Sequence, residues 1–236
     1  MGSGNKRGIQ EFSMNAKRNM MYLIARVKRD CLPCFVTLTY PKEFSLDGRE
    51  WKRDLKNFLT WLGNFSGVSA IWKLEPQRRG APHFHLLIWG VSVEVLQDTI
   101  PERWYKLVGD GDIKHLQWHK GELGNINCVV PVDSTKTMYN YVMKYISKSL
   151  IEGWQNVGKW WGVYSKNNLP VGEEVLFEIR EKDVNQIMRY MRRFTRHSSC
   201  NNASRQIVCD ADQWLEKIQC IPMGSYRDWL KKLENI

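Results

Sequence analysis

Apolar positions in residues 15–29 (NAKRNMMYLIARVKR) recur at helical spacing with basic residues opposite, which predicts a basic amphipathic helix. Cys31-Leu-Pro-Cys34 breaks that period. Residues 35–40 (FVTLTY) are β-branched and aromatic and stop at Pro41, as a buried strand does. In residues 51–65 (WKRDLKNFLTWLGNF), Leu55, Phe58, Leu59 and Leu62 share one face, the pattern of a helix packed on a sheet. Residues 70–75 (AIWKLE) and 83–89 (HFHLLIW) read as strands joined by the turn-forming PQRRGAP, a hairpin at the centre of an antiparallel sheet. Residues 93–108 read as a helix with a restart at Pro101, and residues 127–132 as a strand. Residues 135–150 (TKTMYNYVMKYISKSL) read as a helix capped by Ser134 or Asp133.

The order strand, helix, strand, strand, helix, strand, helix is an α+β plan, a central antiparallel sheet with flanking helices. Beyond Leu150 the periodicity weakens. Residues 160–164, 175–180 and 206–209 are strand candidates, and residues 182–196 and 210–218 look helical. No repeat or linker separates these segments. The expected organisation is an N-terminal basic helix (1–30), a core (31–165) and a C-terminal α/β extension packed on it (166–236).

Composition narrows the function. The 236 residues are 43% hydrophobic, enough for a sizeable core. No uncharged stretch supplies the ~18 apolar residues that a membrane span needs, and no apolar leader is evident, so a cytoplasmic location is expected. Lys and Arg number 35 against 25 Asp and Glu, a net charge of +10, and 12% of residues are aromatic. That mixture suits a polyanion whose bases stack on rings, although charge alone leaves nucleic acid at even odds. Six cysteines (31, 34, 128, 200, 209 and 220) are too sparse for a disulfide scaffold, and free thiols are expected.

His83-Phe84-His85 is the sharpest local feature. On a strand, residues i and i+2 face one way, so both imidazoles converge while Phe84 enters the opposite layer. An isolated His-x-His is more often two histidines on a solvated sheet face. Glu75 changes that balance, because it ends the neighbouring strand and brings a carboxylate beside the imidazoles. The alternative for Glu75 is a surface carboxylate paired with Arg78 or Arg79. A His-His-Glu set leaves coordination positions open for phosphate oxygens and water, with Gln77 a candidate further ligand or support.

In residues 135–150, Tyr141, Lys144, Tyr145 and Lys148 occupy one helical stripe beside an apolar stripe of Met138, Val142, Ile146 and Leu150. A phenol is a poor nucleophile at neutral pH and needs a nearby cation and a polarised phosphate to attack. Taken alone, both tyrosines are more simply core-edge residues.

Weaker features have plainer readings. His115 and His119 with Cys128 would make a zinc site if their segment is helical, but Gly121 and Gly124 favour a mobile solvated loop. Cys31-x-x-Cys34 is better read as buried strand-edge thiols than as a redox or zinc motif. The arginine-rich run at residues 188–196 either grips DNA or forms a solvated face. Trp154, Trp160 and Trp161 could stack on bases, with core packing the safer assignment.

FVTLTY (35–40), His83-Phe-His85 and Tyr141-x-x-Lys144-Tyr145 resemble, in that order, the first Rep, HUH and tyrosine motifs of rolling-circle replication initiators of the HUH endonuclease superfamily. Glu75, eight residues before His83, stands where that family commonly supplies a third metal ligand. LEPQRRGAPHFHLL and KWWGVYSKNNLP resemble bacterial plasmid and phage initiators in particular. The resemblance covers residues 31–165. It implies a ferredoxin-like or RNA-recognition layout and a Mg²⁺- or Mn²⁺-dependent nicking and rejoining of single-stranded DNA at an origin, expected as a hairpin. Tyr141 is the first-choice nucleophile, giving a 5′-phosphotyrosine and a free 3′-hydroxyl, with Tyr145 its partner. Lys144 would position phosphate or stabilise the phenolate. Lys148, Arg78, Arg79, Thr37 and Thr39 are the expected DNA contacts, although both threonines could instead pack the sheet. No GxxxxGK[ST] phosphate loop occurs, so a separate host helicase is the expected partner, in a bacterial cytoplasm. The alternatives are an HUH transposase or relaxase, and a non-catalytic single-stranded DNA-binding protein of the same fold.

Overall fold

The computed structural model describes residues 12–172 apart from 29, 110, 135–136 and 139–152. The elements are α1 (Met14–Ala25), β1 (Cys34–Thr39), α2 (Gly48–Leu62), β2 (Ser69–Pro76), β3 (Pro82–Trp89), α3 (Val93–Val108), α4 (Ile113–Lys120), β4 (Val129–Pro131) and β5 (Trp161–Tyr164), followed by a 3-10 turn at Lys166–Asn168. The strands form one five-stranded sheet in the order β4-β1-β3-β2-β5, every pair antiparallel. The protein is therefore α+β, as the hydrophobic pattern predicts, and the β2–β3 hairpin lies in the interior of the sheet.

Alternation along the strands divides the two faces. Leu38, Leu74, Phe84 and Leu86 are fully buried on one face. Against them pack α2, through Trp51, Leu55, Phe58 and Leu62, and α3, through Leu96, Ile100 and Trp104. The Trp104 ring meets Phe58 edge-on at 5.9 Å and Phe84 at 6.5 Å, which ties both helices to β3. Burying each such aromatic or aliphatic side chain contributes roughly 1.5–3 kcal/mol. Gly162 of β5 allows the sheet edge to close over Trp72, because a Cβ there would stand 2.8 Å from the indole.

Two elements differ from the periodicity. The first helix ends at Ala25 rather than near residue 29, because the chain beyond it is drawn into backbone pairing. Val27 bridges Val171, the Lys28 N–H donates to Pro170, and the Gly172 N–H donates to Arg26. Residues 113–120, expected as a solvated loop, form α4. Asp112 caps it by accepting from the Lys114 N–H, and Gly121 closes it in the left-handed conformation at φ 78°. His115 and His119 are buried. Cys31, Cys34 and Cys128 are free thiols, the latter two buried. Among the described residues, no helix is long and apolar enough to cross a membrane.

Candidate metal centre

Phe84 turns inward to Trp104, so His83 and His85 project from the opposite face of β3. The register then assembles their surroundings. Glu75 of β2 pairs with His83 and Lys73 with His85, while on β1 Thr39 faces His83 and Thr37 faces His85. The ligand atoms of Glu75, His83 and His85 all lie within 4.8 Å of one another. The two imidazole centroids are 4.4 Å apart, tilted by 31°.

Glu75 is 2% exposed, so it is not the surface carboxylate of the alternative sequence reading. A buried carboxylate requires partners. Its Oε1 lies 2.8 Å from His85 Nε2, and its Oε2 lies 3.7 Å from the Lys73 ammonium, itself 3% exposed. Phe12 covers Lys73, whose Nζ sits 5.3 Å from the ring centre. Two imidazole nitrogens and a carboxylate oxygen this close together fit a divalent cation that keeps positions open for other oxygen ligands.

Thr37 lends this set an adaptable support. Its Oγ1 lies 3.3 Å from His85 Nδ1, and the His85 ring stacks on Phe35 at 5.2 Å and 21°. A hydroxyl can donate or accept. With Nε2–H directed at Glu75, Thr37 donates to Nδ1; with the Nε2 lone pair free for a cation, Nδ1–H donates to Thr37. Either tautomer keeps the ring in place.

The neighbouring Thr39 is held by its backbone. Beyond Val36 the β1–β4 ladder ends, and the Thr37 N–H donates to the Cys128 carbonyl instead. Helix α4 then takes over the strand edge. His115 Nε2–H donates to the Thr39 carbonyl at 2.7 Å, a carbonyl that also accepts from Trp104 Nε1–H at 2.7 Å. His119 Nδ1–H donates to the His115 carbonyl at 2.8 Å, which leaves its Nε2 to accept the Thr39 N–H at 3.2 Å. Burial lowers both imidazole pKa values, that of His119 to about 4, so both rings are neutral. These histidines finish a sheet edge instead of binding zinc with Cys128, whose thiol burial pushes up to about 12.

A cavity of about 770 Å³ opens over the ligand set and is also lined by Arg78, Arg79 and Trp118. Arg78 is exposed. Arg79 braces the loop after β1: its Nε–H donates to Gln77 Oε1 at 3.0 Å, its Nη1 to the Lys42 carbonyl at 3.2 Å and its Nη2 to the Tyr40 carbonyl. Gln77 is thereby held by Arg79. Trp154 and Trp160 are buried and stack on each other at 6.0 Å, as core residues do. The predicted cap at Ser134 is present, its hydroxyl accepting from the Thr137 N–H at 3.1 Å. Tyr141, Lys144, Tyr145 and Lys148 lie outside the described residues, as do residues 188–196.

Sequence reasoning missed Lys73, Trp118 and the backbone role of the α4 histidines. Lys73 was findable, since it stands two residues before Glu75 on the same strand face.

No curated protein and no solved structure matches the chain. A family model does, over residues 33–150, half of the chain, and that span takes in the Glu75, His83 and His85 cluster together with the segment bearing Tyr141 and Tyr145. On that match the chain belongs to the replication-associated protein ORF2/G2P family.

Proposed function

We propose that this protein is a rolling-circle replication initiator of the HUH endonuclease class, acting on single-stranded DNA at an origin. The observation that carries the reading is the buried Glu75, His83 and His85 cluster inside a span matched by a replication-associated family. The strand order β4-β1-β3-β2, with helices between β1 and β2 and between β3 and β4, supports the ferredoxin-like layout of that class.

Glu75, His83 and His85 would hold Mg²⁺ or Mn²⁺, which supplies Lewis-acid polarisation of the scissile phosphate. The chain's own residues do the rest. The Tyr141 phenolate oxygen attacks phosphorus, the P–O3′ bond breaks, and the products are a 5′-phosphotyrosine and a 3′-hydroxyl that takes up a proton. Lys144 steadies the phenolate, and Tyr145 supplies the second nucleophile for strand transfer. One phosphodiester replaces another, so no nucleotide triphosphate is consumed and the step reverses to rejoin strands. Arg78, Lys148 and the net charge of +10 hold the DNA backbone. Arg79 reaches DNA only with donors left over from bracing the Tyr40–Lys42 loop, and the Thr39 side chain lines the same cavity.

The test is incubation with single-stranded origin DNA and Mn²⁺, followed by a denaturing gel. The expected result is a denaturation-resistant protein–DNA adduct that His83→Ala abolishes while DNA binding persists. Binding without any adduct in the parent protein would identify a non-catalytic single-stranded DNA-binding protein instead.

A further inference from the structure

The cavity over the ligand set continues to a part of α4 that the nicking reading does not use. Trp118 is 38% exposed at its wall, an uncommon position for so large a ring, and meets the His119 ring in a T-shaped contact at 5.2 Å and 78°. Beside it, His115 is 8% exposed, and the Thr39 carbonyl fixes its proton on Nε2. Its Nδ1 is therefore a bare acceptor, buried and without a hydrogen-bond partner among the described residues, on a side chain that lines the cavity. A buried acceptor left unsatisfied is destabilising, so the site favours a ligand that brings an N–H donor. Lys114 and Arg78 line the same cavity and suit an anion.

A flat π-surface, a buried unpartnered acceptor on a lining side chain and nearby cations match one chemical class, a nucleotide. We propose that α4 forms a nucleobase subsite: one base of the DNA strand stacks on Trp118 and donates an N–H to His115 Nδ1, while Lys114 and Arg78 face its phosphate. This subsite rests on the reading of the cavity as a single-stranded DNA site. It adds sequence preference to that reading, because the four bases present their N–H groups differently along the edge that His115 meets.

The experiment is an NMR titration of the full chain, ¹⁵N-labelled at Trp and His, without divalent cation. The probes are dAMP, dCMP, dGMP and dTMP, with 2-deoxyribose 5-phosphate as the base-free control. Trp118→Phe assigns the indole signal. The expected result is that at least one mononucleotide shifts both the Trp118 indole and the His115 Nδ1 signals while the sugar phosphate shifts neither. In Trp118→Ala, affinity for that mononucleotide falls by at least about fivefold. Equal shifts with the sugar phosphate, or no shift with any mononucleotide, would overturn the subsite. The two proposals fail separately. An adduct with a silent Trp118 rejects the subsite alone, and a responsive Trp118 without an adduct rejects the nicking chemistry alone.

Discussion

Glu75 and His85, ten residues apart in the chain, meet across the β2–β3 hairpin with Oε1 2.8 Å from Nε2, in a layer where Glu75 is 2% exposed. The register alone brings this about, since Glu75 pairs with His83 and Lys73 with His85, and the contact runs diagonally between the two pairs. Replacing the carboxylate removes the anionic member of the ligand set. Glu75→Gln is expected to weaken Mn²⁺ binding by at least about tenfold, measured by calorimetry or Mn²⁺ paramagnetic resonance, with the fold intact by circular dichroism. Undiminished affinity would remove Glu75 from the ligand set.

Thr37 touches His85 Nδ1 and is not itself a ligand. Thr37→Val keeps the shape but deletes the hydroxyl, so the ring loses one of the contacts that orient it. Mn²⁺ affinity is expected to fall by about 10- to 100-fold, and Thr37→Ser is expected to restore most of it. Equal affinity in all three proteins would show that Thr37 only packs the sheet.

His119 makes stability depend on acid. Burial holds its pKa at about 4 against an ordinary 6.5, and the neutral ring accepts the Thr39 N–H through Nε2, which an imidazolium cannot do. As pH falls, the unfolded chain takes up this proton first, so the stabilisation is complete above pH 6.5 and is lost between 6.5 and 4. The loss is on the order of 3 kcal/mol. Urea unfolding at pH 7 and pH 4.5 measures it. His119→Gln, which can still accept the Thr39 N–H, is expected to flatten the dependence, whereas an unchanged slope would exclude His119 as its source.

Much of this fold was legible because its strands and long helices carry strong patterns. FVTLTY, AIWKLE and HFHLLIW alternate or run apolar between clear breakers, and α2 shows one apolar face. The clustering of Glu75, His83 and His85 was legible for the same reason, since the strand period places the two histidines together and the short hairpin brings Glu75 alongside. Helix α4 was not. Its eight residues mix polar and apolar types all round, and its buried histidines serve the Thr39 backbone, a tertiary demand without a period. Asp112 and Gly121, which cap its two ends, were the available signal. The end of α1 was hidden likewise, because residues 27–28 pair with a segment more than 140 positions away.

A tyrosine of the segment after Ser134 is expected to become covalently joined to DNA, and the direct measurement is peptide mass mapping of the adduct. Trypsin separates the candidates, since cleavage after Lys136 and Lys144 places Tyr139 and Tyr141 in TMYNYVMK and leaves Tyr145 in YISK. The expected result is a nucleotide-bearing TMYNYVMK peptide whose fragments place the phosphate on Tyr141, formed only with Mn²⁺ or Mg²⁺ present and absent from His83→Ala. A modified YISK peptide would reverse the order of the two nucleophiles. An active, metal-treated protein with no modified tyrosine on either peptide would contradict the mechanism.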